Sequence, residues 1–132
     1  MSHASRPSPL HPAATVDRAG IFASTVCAIH CALAAFLPGL LAALGLTVWF
    51  GETAEYALSA AAILFALSAV LIGWRQHRSW RTLFILVVGI SGLLLARYLE
   101  EAGVHGVGTA IGIASSALLV FGHILNIQTA RH

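Results

Sequence analysis

Cys27-Ala28-Ile29-His30-Cys31 gathers both cysteines of the chain and one of its histidines into five residues of an otherwise apolar stretch. On a helix, residues i, i+3 and i+4 share a face, so Cys27, His30 and Cys31 point in roughly one direction. Two thiols and an imidazole converging in this way make a candidate site for a soft or borderline metal ion. Thiolates select Cu(I), Zn(II) and Hg(II), the last satisfied by two sulfurs in a near-linear arrangement, whereas Mg(II) and Ca(II) need oxygen donors. The thiols must lose protons to bind, and His30 is placed to accept one. A disulfide between them is disfavoured, because Cβ vectors four residues apart on a regular helix run nearly parallel. The same geometry argues against a thiol-disulfide enzyme, and no catalytic residues are assigned.

A second polar stripe lies near the C-terminus. Gly108 and Gly112 form a GxxxG pair whose face continues through Ser116 and Leu119 to His123 and Asn126. His123 is eight residues from Arg131, or about 12 Å of helix, and Cys27 is nine from Arg18, or about 14 Å. Matching depths lead to the expectation that His123 approaches the Cys27/Cys31 face, with Asn126 orienting its imidazole and Ser24 and Ser116 in support. A closed zinc site would draw on Cys27, Cys31, His30 and His123 together. A two-thiolate site is simpler and gives its ion up more readily, which suits transfer. Two other readings stay open. His30 and His123 as axial ligands would make a membrane haem protein, recognisable by a Soret band. Cysteine also packs as a small hydrophobe, and a purely structural subunit would keep its function with both thiols replaced by serine.

The surrounding sequence is that of a membrane scaffold. Of 132 residues 58% are hydrophobic and 9% charged, with a mean hydropathy of +0.87, against about 25% charged in ordinary soluble domains. A net charge of +2 from scattered arginines gives no support to nucleic-acid binding. The expected architecture is an all-α four-span bundle with short loops, a membrane-spanning domain over residues 19–127. Residues 1–18, rich in Pro, Ser, Ala and His, read as a flexible cytoplasmic tail in which His3 and His11 are not ligands, and residues 128–132 as a short second tail. The spans are expected at about 20–46, 54–74, 82–99 and 107–127. The first is too long for one straight crossing and should bend at Leu37-Pro38-Gly39. Ser59, Ala62, Ala66, Ala69 and Gly73 form a small-residue stripe in the second, read as packing surface.

The basic segment from Arg75 to Arg81, with His77 as an interfacial residue, should stay cytoplasmic, which puts both termini inside and Glu52, Glu55, Glu100 and Glu101 outside. The glutamates near the start of the second span read as capping residues. Arg97 should pair with Glu100 or Glu101 on its own helix, or snorkel.

The chain resembles the MerC family of small four-span inner-membrane mercury-resistance proteins. The resemblance rests on Asp17-Arg18 leading into Ser24 and Cys27 to Cys31, then Leu37-Pro38, the Arg/His-rich segment at 75 to 81, and Gly122-His123 with Asn126. It implies transport of Hg(II) across the inner membrane, with Cys27 and Cys31 as the receiving thiols, a metal ion as cargo and no tightly bound cofactor. The mercury transporter of the family has a second cysteine pair near its C-terminus. Residues 128–132 hold no cysteine, so the implied route runs directly from Cys27/Cys31 to a cytosolic thiol acceptor, or the cargo is another thiophilic ion such as zinc or copper.

Overall fold

In this computed structural model residues 12–76 and 78–132 are described. The expectations for residues 1–11 and for His77 lie outside them. Among the described residues five helices follow one another: α1 (Pro12–Phe36), α2 (Pro38–Ala43), α3 (Glu52–Gln76), α4 (Trp80–Glu101) and α5 (His105–Ala130). All but α2 are long and apolar enough to cross a membrane. The chain is an all-α, multi-pass membrane protein.

Proline decides where the first apolar stretch divides. Pro38 has no N–H to give the Ala34 carbonyl, so α1 ends at Phe36, Leu37 leaves helical geometry, and Pro38 restarts the chain as the first residue of α2. Gly45, at a φ of +70° that suits glycine, closes α2. The single bent span expected over 20–46 is therefore two helices. The other end of α1 differs too. It begins at Pro12 rather than near Gly20, so residues 12–18, expected in the tail, are helical, and Ala13 and Asp17 are buried.

Each long helix turns its small residues inward. Ser59, Ala62, Ala66, Ala69 and Gly73 are the buried residues of α3, and Gly108, Gly112, Ser116, Leu119, His123 and Asn126 are among those of α5. Lipid is as apolar as leucine, so close backbone approach, rather than exclusion of water, holds such helices together. α1 packs on α3 and α5, and α4 on the same two, so α1 and α4 stand diagonally across a four-helix ring. Phe22, Phe36, Leu64, Phe84 and Phe121 face outward, as a lipid-facing surface requires.

Candidate functional site

Cys27 and Cys31 sit one turn apart on the inward face of α1, 1% and 4% exposed, both as free thiols. Their sulfurs are neighbours, and Cys27 is flanked by Ser116 of α5 and by Ser59 of α3, whose Oγ lies 4.0 Å from Sγ. Ala62, Ala66, Leu86, Leu93 and Leu119 complete the apolar surroundings. Two buried sulfurs with no oxygen-rich partners suit a soft, low-coordinate ion.

Cys31 also opens on a cavity of about 230 Å³ lined by Ala34, Ala35, Glu55, Arg97, Glu100, His105 and Thr109. This vestibule lies at the end of the bundle where α3 starts and α4 gives way to α5. Its polar groups are tied together. Arg97 pairs with Glu55 across the bundle at 2.8 Å, Glu100 accepts from Thr109 at 2.8 Å and meets His105 Nδ1 at 2.9 Å, and Tyr56 donates to Glu101. The expected local pairing of Arg97 with Glu100 or Glu101 is thus replaced by a bond between helices. Those two glutamates are engaged by α5 and α3 instead, and Glu55 does more than cap α3.

His30 turns away from the thiols toward the α2–α3 connection. Its Nε2–H donates to the Trp49 carbonyl at 3.0 Å, and its ring stacks on Phe50 with centroids 4.7 Å apart. Nδ1 is buried and unpartnered. The histidine therefore pins the loop beside the site, with one nitrogen to spare.

His123 does not reach the thiols. Its Nδ1–H donates to Asp17 Oδ1 at 2.9 Å, and Asn126 Nδ2 donates to Asp17 Oδ2 at 2.8 Å. The ring lies so close to α1 that a Cβ at Gly20 would overlap it. Gly20 is seven residues below Cys27, about 10 Å along the helix. The expected approach fails on register. Because α1 extends to Pro12, Ala13 and Ala14 share a cavity with Ala130 and Arg131, and every level of α5 meets α1 nearer its N-terminus than Arg18 and Arg131 would align it. Ser116, not His123, is the α5 residue level with Cys27. Asn126 does orient the imidazole, through the shared carboxylate of Asp17. Since His30 and His123 are bound to opposite ends of the bundle, they do not face one another as haem ligands would. No group of three or more His, Cys, Asp or Glu among the described residues is arranged to hold a metal ion, so the four-ligand set of Cys27, Cys31, His30 and His123 is not assembled.

Asp17, Ser59 and the vestibule residues were not singled out as site residues by sequence. Asp17 carried a signal, as the lone acidic residue before the first apolar run. Ser59 carried one as the polar member of an otherwise Ala/Gly stripe. Nothing in the sequence pairs Glu55 with Arg97.

A family model described as MerC mercury resistance protein matches residues 17–128. No curated protein and no solved structure matches the chain.

Proposed function

This chain belongs to the MerC mercury resistance family, and on that footing we propose that it carries Hg(II) across the inner membrane on the thiols of Cys27 and Cys31. The observation that carries this reading is the pair of free, neighbouring sulfurs, almost wholly buried, of which Cys31 borders a polar vestibule. The ion enters from the acidic end of the bundle, meets Cys31 first and then Cys27, and leaves toward the opposite end for a cytosolic thiol acceptor. Charge supports that direction. Arg18 and Arg131 lie together with Gln76 at the end where α1 starts and α3 and α5 finish, while four of the five acidic residues, at 52, 55, 100 and 101, belong to the other end. An excess of arginine marks the cytoplasmic side.

Metal analysis of the detergent-purified protein, challenged separately with Hg(II), Zn(II) and Cu(I), tests the reading. The unsubstituted chain should retain Hg(II), and Cys27→Ser/Cys31→Ser should lose it. Equal retention by both would end the proposal. Retention of zinc or copper but not mercury would keep the thiol site and change its cargo.

A further inference from the structure

Asp17, His123 and Asn126 form a second buried polar cluster that thiol binding leaves unused. Both oxygens of the Asp17 carboxylate accept, one from His123 Nδ1 and one from Asn126 Nδ2, so Nε2 is the free imidazole nitrogen. Nε2 has no partner and His123 is fully buried. An imidazole fixed in this way by a carboxylate is arranged to take up and return a proton at its far nitrogen. Two further unpartnered atoms lie between it and the thiols. Ser24 Oγ, one turn beyond Gly20, and Ser116 Oγ, beside Cys27, are both fully buried without a hydrogen bond. Hydroxyls donate and accept at once, and orphaned polar atoms in a membrane interior are costly unless a small polar species engages them. On its other side Asp17 lines a cavity of about 440 Å³ with Arg18, Gln76 and Arg131.

We propose that the Asp17–His123 pair is a proton site serving Cys27, exchanging protons with the terminal face of the membrane, where Arg18 and the C-terminal Arg131 lie. As the ion arrives, the Cys27 S–H bond breaks, the sulfur's electron pair forms the bond to the metal, and the proton passes to His123 Nε2 through water bridging the unpartnered Ser116 and Ser24 hydroxyls. As the ion leaves, the metal–sulfur bond breaks toward the metal's new ligand, the sulfur keeps its pair, and a proton returns from Nε2. Nothing is oxidised or reduced. The proton of Cys31 leaves by the vestibule. This role rests on the thiol pair being the cargo site. Among the described residues the groups around His123 are Asp17 from α1 in contact, with Arg18 and Arg131 on the cavity beyond it, Gly73 from α3 next to Asn126, and Thr82, Leu83 and Leu86 as the buried residues of that part of α4.

Vesicles carrying the full chain in one orientation, with pH set separately on each face, test it. Hg(II) uptake by the unsubstituted protein should change in rate with pH on the terminal face while the other face is held constant. His123→Gln and Asp17→Asn should lose that response yet still retain Hg(II) on the thiols, which shows that they are folded. Uptake that ignores terminal-face pH in the unsubstituted protein, a measurement needing no variant, overturns the proton site, as does an unchanged response in folded variants. Failure of the cargo reading would show differently, as an unsubstituted protein that retains no Hg(II) at all.

Discussion

Removing the Asp17 carboxylate leaves His123 Nδ1 and Asn126 Nδ2 as buried donors without an acceptor. Each stranded group costs about 1–3 kcal/mol, so Asp17→Ala should lose roughly 2–6 kcal/mol, read as a lowered midpoint of thermal or denaturant unfolding in detergent. Asp17→Asn, which keeps an oxygen facing one donor, should lose less. At this scale the sequence was partly legible. The thiols declared themselves, because Cys27 and Cys31 are the only cysteines and share a helical face. Asp17 stood out only as the lone acidic residue before the first apolar run; its partners are 106 and 109 residues away, and no local pattern announces a carboxylate that serves the far end of the chain. His30 was legible as a candidate ligand and proton acceptor, but the loop carbonyl of Trp49 that it binds instead was not.

Glycine sets the spacing of α1 and α5. A Cβ at Gly20 would overlap the His123 ring, and the ring cannot retreat without breaking its bond to Asp17. Gly20→Ala should therefore destabilise the bundle by about 1–3 kcal/mol through overpacking. Gly106→Ala, in the exposed first turn of α5 with nothing within 4 Å of a new Cβ, should be neutral or gain up to about 1 kcal/mol in helix propensity. Paired unfolding curves check both. The four spans were legible as long apolar runs, and their buried faces as stripes of Gly, Ala and Ser. Helix ends were less so. Proline is a helix breaker inside a run and a helix starter at its first position, so Pro12 among Pro, Ser and Ala read as tail although it opens α1. That error of about two turns shifted the register and put His123 beside the wrong residues of its neighbour.

The whole molecule is polar at its two ends and along one internal seam. Acidic groups and Arg97 surround the vestibule at one end, arginines gather at the other, and the thiols, Ser59, Ser116, Ser24 and the Asp17–His123–Asn126 cluster lie in order between them. In a background with both native thiols replaced by serine, a single cysteine at Ser79 should react with a membrane-impermeant reagent from the cytoplasmic side, and one at Gly103 from the other. The reverse pattern would invert the direction of transport and leave the fold intact. The seam ends at two sulfurs, and whether they hold the ion is the claim on which the rest depends. X-ray absorption at the mercury edge of the Hg(II)-loaded protein tests it most directly. Two sulfur neighbours in a near-linear arrangement, lost in Cys27→Ser/Cys31→Ser, is the predicted result. A first shell of nitrogen and oxygen, or a sulfur shell that survives that double substitution, would contradict it.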